Sequence, residues 1–401
     1  MLPFALAVPL VLVPFGAYLG VSEGSGGRLP VAGGTTGGVL HPIAGSFVPN
    51  SVRIVGCNGS YSCLEQGFGN VAFRDGPGRA IALFEARLES DGDVERDCHR
   101  ILHTIGSATL ARYQGDVART FAEGTSTCAS GYYHGILERA FAGITTKTEL
   151  GKVARKLCIG VGIRRHSFLD YQCRHGLGHG FMIQTGYALP TALSLCSQLG
   201  TGWDRITCTS GAFMENVSTR FGFRSAWLDD KDPLFPCNEL AMRHRASCYV
   251  RATTWILQLE NNDFARTAAV CRSASSPWSA ACFRGFGRDA VVDARYRAFG
   301  HVHALCALTG ADIGECYFGA ARTFGDGEGE NGVRRAATFC RGAPLSARDD
   351  CSAGFGIIVG LLHATPQARR AACVRLARAE VEACTSAAEA EVHPSGTQSW
   401  G

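Results

Sequence analysis

The chain has 401 residues, 46% hydrophobic and 18% charged, which is enough apolar material for a large buried core and argues against a disordered chain. Its net charge of +4 comes from 39 basic and 35 acidic residues without a basic run, which argues against nucleic acid as a partner. Eighteen cysteines with no CxxC spacing exclude zinc ribbons, CxxCH haem attachment and thioredoxin-like sites. The cysteines therefore favour disulfides and an oxidising compartment.

The first segment of the chain is apolar. Residues 2–19 carry no charge, which is typical of a secretion signal or an N-terminal membrane anchor within residues 1–20, although Pro9 and Pro14 weaken a spanning helix. No Lys or Arg precedes the stretch and no clear A-x-A cleavage site follows it, so cleavage and anchoring both stay open. We expect an extracytoplasmic protein, secreted or periplasmic, with membrane association through residues 2–19 as an alternative.

Residues 21–78 are predicted to be a Gly-rich linker followed by an irregular loop that a Cys57–Cys63 disulfide closes. Helical periodicity takes over from Arg79, and it predicts a helical repeat domain over residues 79–386. Residues 387–401 are expected to be a frayed helix that continues into a disordered tail.

The cysteines of the repeat domain come in pairs. The second members of successive pairs advance from Cys208 by 40, 34, 34, 35 and 33 residues, close to the period of helix-turn-helix solenoids. This period of about 34 residues predicts an all-α, disulfide-stapled array of helical hairpins, an α-solenoid with tetratricopeptide-like spacing. The pairs are 158/173, 196/208, 237/248, 271/282, 306/316, 340/351 and 373/384.

Each repeat is predicted to contain a helix that ends at the first cysteine, a loop closed by a disulfide, and a second helix that begins near the second cysteine. A glycine recurs three places after the second cysteine and is expected to let neighbouring helices approach closely, at positions 131, 176, 211, 285, 319 and 354. Cys98 and Cys128 are 30 residues apart and depart from the rule, so one of them being reduced is an alternative.

Histidines concentrate in the first part of the domain, residues 79–200. Three successive repeats each carry two candidate metal ligands at i and i+4, a spacing that places both side chains on one face of a helix. His134 and His179 also share an offset of six residues after the second cysteine, whereas the same position holds no histidine in repeats after residue 200. The predicted metal site therefore consists of His99, His103, His134, Glu138, His175 and His179.

Five imidazoles and one carboxylate suit copper or iron better than zinc, and disfavour calcium and magnesium. The leading hypothesis is an exported, copper- or iron-dependent oxidoreductase, in which Glu138 is a ligand or a general base acting on a small-molecule or peptide substrate. Two alternatives stay open: a non-catalytic solenoid scaffold that binds a peptide, glycan or partner protein, and a metal storage or delivery protein.

Overall fold

The computed structural model describes residues 47–160, 163–218 and 224–392. The predicted signal or anchor of residues 2–19 lies outside these ranges, as do residues 393–401 of the tail. The described residues form an all-α array without a strand, as the cysteine period predicts. Within them, no helix is both long enough and apolar enough to cross a bilayer.

Helical structure begins earlier than the periodicity indicates. The first helix starts at Tyr61, so the prediction that residues up to 78 form a linker and an irregular loop was wrong for its last part. The glycines responsible for that prediction are packing positions, because Gly67 lies against Ile54 and Gly69 against Phe47. The helices of the described ranges are α1 (Tyr61–Asp75), α2 (Pro77–Leu88), α3 (Gly92–Arg96), α4 (Cys98–Arg112), α5 (Val117–Ala122), α6 (Thr127–Ala140), α7 (Lys147–Gly160), α8 (Phe168–Gln184), α9 (Leu189–Cys196), α10 (Gly202–Asn216), α11 (Met242–Leu259), α12 (Phe264–Ser273), α13 (Trp278–Asp293), α14 (Phe299–Ala307), α15 (Ile313–Asp326), α16 (Glu330–Arg341), α17 (Arg348–Leu362), α18 (Pro366–Ala377) and α19 (Val381–Val392).

All 18 cysteines are paired in nine disulfides. Cys98 and Cys128 are bonded to each other, so the alternative of a reduced cysteine there is wrong. Closing a loop of this general size contributes about 3 kcal/mol by restricting the unfolded chain. Nine such bonds indicate an oxidising, extracytoplasmic environment. The other pairs are Cys57–Cys63, Cys158–Cys173, Cys196–Cys208, Cys237–Cys248, Cys271–Cys282, Cys306–Cys316, Cys340–Cys351 and Cys373–Cys384.

One helix of each repeat belongs to a continuous row in which every helix packs on the one before it. We call these the row helices: α1, α4, α6, α8, α10, α11, α13, α15, α17 and α19. The predicted role of the recurring glycine is confirmed at five of the six positions, where a Cβ atom would overlap a backbone carbonyl oxygen of the preceding row helix. Gly176 instead faces the Leu137 side chain. The five close contacts join Gly131 to His99, Gly211 to His175, Gly285 to Val250, Gly319 to Arg284 and Gly354 to Phe318.

The Gly354→Ala substitution tests this packing. The added methyl group would meet the Phe318 carbonyl oxygen, so α15 and α17 must separate, and we expect a loss of about 1–3 kcal/mol in unfolding free energy. The matched control is Gly78→Ala in α2, where nothing lies within 4 Å of the new Cβ and the stability should stay equal or rise slightly. Urea unfolding of both variants measures the difference, and equal stability of the two would show that the glycine contact is unimportant.

The row curves until its second half meets its first. Arg164 donates to the Leu361 carbonyl at 3.0 Å, and Trp203 donates to Glu391 at 2.9 Å, across 197 and 188 residues of sequence. Because Glu391 lies in α19, that helix is a packed part of the fold up to Val392. The two halves thus enclose a common interior.

Candidate metal centre

A cavity of about 950 Å³ lies in the interior between the row helices. It is lined by residues of both halves, and the position six residues after the second cysteine faces it in six repeats. The shared face that the sequence predicts for His134 and His179 is therefore observed. The residues at this position are His134, His179, Met214, Thr254, Arg288 and Arg322.

All five predicted histidines meet on the wall of this cavity. The His134 ring lies at the middle of the cluster, with centroid distances of 5.3 Å to His99, 5.4 Å to His103, 5.1 Å to His175 and 4.5 Å to His179. Four of the rings are buried, and His99 is partly exposed. Three consecutive row helices, α4, α6 and α8, thus bring their imidazoles within metal-binding reach of one another.

His99 and His103 bring two ring nitrogens within hydrogen-bond distance of each other. His99 Nδ1 lies 2.7 Å from the Cys128 carbonyl oxygen, which only accepts hydrogen bonds, so this nitrogen carries the proton and Nε2 carries the lone pair. His103 Nε2 faces that lone pair at 3.0 Å. Either His103 Nε2 therefore carries a proton and donates it to His99, or a metal ion binds both nitrogens.

The other three histidines each leave one buried ring nitrogen without a hydrogen-bond partner among the described residues. His134 donates through Nε2 to Gln172 Oε1 at 3.2 Å, and its Nδ1 is unpartnered. His179 donates through Nδ1 to Glu215 Oε2 at 2.8 Å, and its Nε2 is unpartnered. His175 has its Nε2 3.4 Å from Met214 Sδ and its Nδ1 unpartnered. Orphaned buried polar atoms are costly, and lone pairs aimed at one place are what a metal ion satisfies.

The candidate ligand atoms form three overlapping groups, in each of which the atoms lie within 4.8 Å of one another. His103, His134 and His179 each belong to two groups, so the arrangement has room for one ion or for two neighbouring ions. Since imidazole nitrogens dominate, the donor set fits a transition metal. The groups are His99, His103 and His134; His134, His175 and His179; and His103, Glu138 and His179.

Two carboxylates and one arginine lie next to the histidines. Glu138 lies 2.5 Å from His103 Nδ1, and Glu215 accepts from both His179 and the Tyr187 hydroxyl. Arg100 lies 3.7 Å from Glu138 and 3.8 Å from Glu215. Carboxylates that accept from the second nitrogen of a ligand imidazole fix its tautomer and orientation.

The two carboxylates are electrostatically different. Burial raises the pKa of Glu138 to about 8. Burial would also raise the pKa of Glu215, but the hydrogen bond from His179 and the charge of Arg100 lower it to about 2. The surroundings therefore favour the ionised form of Glu215 and the protonated form of Glu138.

The buried imidazoles are neutral at physiological pH. Burial, and then the charge of Arg100, lower the pKa of His103 well below its usual value. Burial lowers the pKa values of His134, His175 and His179 as well. Neutral imidazole is the form that binds a metal ion, so the protein environment keeps these side chains ready to coordinate.

No known protein family, curated protein or solved structure matches the chain. The chemistry of the site therefore rests on its own geometry. Sequence reasoning missed the supporting residues Arg100, Gln172, Met214 and Glu215. A signal for two of them exists, because Met214 occupies the offset that holds histidine in the two preceding repeats and Glu215 follows it directly.

Glu215→Gln tests the supporting role of this carboxylate. The glutamine keeps the shape but loses the charge that faces His179 and Arg100, so we expect metal affinity to fall about 10–100-fold. A control is Glu391→Gln, another buried carboxyl group, which bonds Trp203 and belongs to none of the three candidate ligand groups, so it should leave affinity unchanged. Competition with a chelator of known affinity measures both, and equal affinities would contradict the role of Glu215.

Proposed function

We propose that the protein is an extracytoplasmic metalloprotein that binds copper or iron and acts as a metal-dependent oxidoreductase. The observation that carries this proposal is the set of three buried, unpartnered imidazole nitrogens beside the His99–His103 pair. The ligands would be His99, His103, His134, His175 and His179, with Glu138 as a further ligand or as the partner of His103 that accepts and returns a proton.

Copper and iron supply one-electron chemistry and bind substrates or dioxygen at open coordination positions. Nitrogen donors suit both metals, and the thioether of Met214 next to His175 is a soft group of the kind that copper accepts. A magnesium or calcium site would need mostly oxygen donors, whereas Glu138 is the only carboxylate in the three ligand groups of the described residues.

The cavity favours catalysis over storage. The histidines lie on the wall of a space of about 950 Å³, a volume typical of small-molecule binding sites. A storage site needs no such space beside its ions, and a scaffold needs no convergent imidazoles. The disulfides and close helix contacts would hold the ligands in fixed positions while a substrate enters.

The test is reconstitution of metal-free, disulfide-bonded protein with Cu²⁺, Fe²⁺ or Zn²⁺ separately. We expect one or two copper or iron ions per chain, nitrogen hyperfine structure in the electron paramagnetic resonance spectrum of the copper form, and reversible reduction by ascorbate and reoxidation by air. The double variant His134→Ala, His179→Ala should show none of these signals. Retention of zinc alone, or bound copper and iron that do not change oxidation state, would overturn the proposal in favour of a structural or storage site.

A further inference from the structure

Nine arginines line the same cavity as the histidines, and three of them come from successive row helices: Arg251 in α11, Arg288 in α13 and Arg322 in α15. Their charges act on one another, since burial and then the charges of Arg288 and Arg322 contribute to lowering the pKa of Arg251 to about 10. Guanidinium groups gathered in a partly enclosed space create a positive potential that attracts anions.

Arg251 differs from the other two in its partners. Arg288 forms an ion pair with Asp289 at 2.8 Å, and Arg322 donates to the Tyr171 hydroxyl at 3.1 Å. Arg251 donates through Nε and Nη2 to the hydroxyl of Ser210, and its Nη1 makes no hydrogen bond to the described residues. No described carboxylate lies within ion-pair distance of it. Arg251 therefore has no direct ion pair with a described carboxylate and brings a free donor to the cavity.

Among the acidic residues of the cavity, Asp326 acts on Arg251 through its charge, without a direct ion pair. Asp289 pairs with Arg288, and Asp326 accepts from Gln172 at 3.2 Å. Burial raises the pKa of Asp326 more than the charges of Arg322 and Arg251 lower it, so this carboxyl group offsets the arginines only in part. Two further acids of the lining are paired with arginines, Glu95 with Arg295 and Glu328 with Arg335.

The sequence singles out Arg251 as well. It stands three places after Cys248, at the position where six other repeats have glycine. This repeat has the longest spacing of the regular series, 40 residues from Cys208 to Cys248, and α10 and α11 pack less extensively than the other neighbouring row helices. The contact between neighbouring row helices is thus smallest at the repeat that carries the arginine.

The arginines are close to the histidine cluster. The Tyr171 ring stacks on His175 with centroids 5.6 Å apart, and its hydroxyl accepts from Arg322. The Tyr171 side chain therefore contacts both the histidine cluster and one of the arginines. The charge of Arg251 also contributes to the lowered pKa values of His134 and His179, after burial and other charges. A molecule bound to the arginines would lie beside the imidazoles.

We infer that the cavity binds a small molecule carrying an oxyanion, a carboxylate or a phosphate, on Arg251 with Arg288 and Arg322 around it. Planar guanidinium groups bind such oxyanions through paired, charge-assisted hydrogen bonds. The volume of about 950 Å³ fits a small molecule. That this anion is the substrate of the metal centre rests on the proposed function, whereas anion binding itself does not.

The test uses metal-free protein, so that an anion cannot be held by a metal ion. Benzoate, inorganic phosphate and the neutral analogue benzamide are titrated by calorimetry. We expect saturable binding of at least one of the two anions at one site per chain, and at least tenfold weaker binding of benzamide. Arg251→Gln should weaken anion binding at least tenfold, Arg251→Lys should restore part of it, and the exposed-surface control Arg375→Gln should leave it unchanged.

A second measurement does not depend on variants. The bound anion should protect Arg251 of the wild-type protein from modification by phenylglyoxal, as read by peptide mass spectrometry, while exposed Arg375 stays reactive. Equal binding by the wild type and Arg251→Gln, equal binding of benzoate and benzamide, or no protection of Arg251 would overturn the inference. Loss of metal binding with anion binding intact would overturn only the proposed function.

Discussion

Replacing His134 with alanine is expected to lower metal affinity by more than 100-fold. His134 belongs to two of the three ligand groups, and its ring lies between the His99–His103 pair and the His175–His179 pair. Removing a residue that supports a ligand typically costs 10–100-fold in affinity, so removing a shared ligand should cost more. The affinity is measured by competition with a chromogenic chelator for copper and for iron.

The matched control is His301→Ala. His301 is a half-exposed histidine that bonds Asp293 at 2.7 Å, apart from the cluster, so its removal should leave affinity unchanged. Circular dichroism of both variants checks that the helical array is intact. A folded His134→Ala protein that binds metal as tightly as the wild type would show that the five imidazoles do not form one centre.

Metal binding is expected to stabilise the fold by about 4 kcal/mol when the free metal is 1000-fold above its dissociation constant. The binding energy adds to the folding energy because the ligands come from α4, α6 and α8, which are brought together only in the folded chain. The buried, unpartnered nitrogens of His134, His175 and His179 also make the metal-free state costly. Urea unfolding with excess chelator or with buffered metal measures the difference.

The double variant His134→Ala, His179→Ala is the control for this second prediction. It should unfold at the same urea concentration with and without metal, since its site is disrupted. A wild-type protein whose unfolding does not respond to copper, iron or zinc would contradict the prediction. Intact disulfides must be verified in each sample, because they contribute independently to stability.

The cysteine and glycine pattern predicts most of the fold. Pairs at nearly constant spacing place a disulfide between the helices of each hairpin, and a glycine such as Gly319 reports a backbone contact with the preceding row helix. The first helix, α1, is not predicted by this pattern, because the composition around Gly67 and Gly69 resembles that of a linker. Glycine content alone does not separate flexible chain from close helix packing.

The candidate ligands are predictable for a related reason. A spacing of i,i+4 and a constant offset from a cysteine are local signals, and both point to His134 and His179. Contacts between the two halves have no local signal. The approach of Arg322 to Tyr171, or of Asp326 to Gln172, depends on the curvature accumulated over about 150 residues, because each small rotation between row helices adds to the next.

The environment of Arg251 is only partly predictable from the sequence. Its place in the glycine position of its repeat is visible in the sequence, and so is the longer spacing before Cys248. What the sequence does not give is the surroundings of the guanidinium, which depend on Ser210 of the neighbouring row helix and on charges from α13 and α15. A departure from a repeat thus marks a position whose chemistry only the assembled fold defines.

The metal content of the protein, purified in its disulfide-bonded form without added metal or chelator, tests the central claim most directly. Inductively coupled plasma mass spectrometry of the wild type and of the His134→Ala, His179→Ala variant should find one or two copper or iron ions per wild-type chain and essentially none in the variant. Equal metal in both proteins, or none in either, would contradict a histidine-bound metal centre.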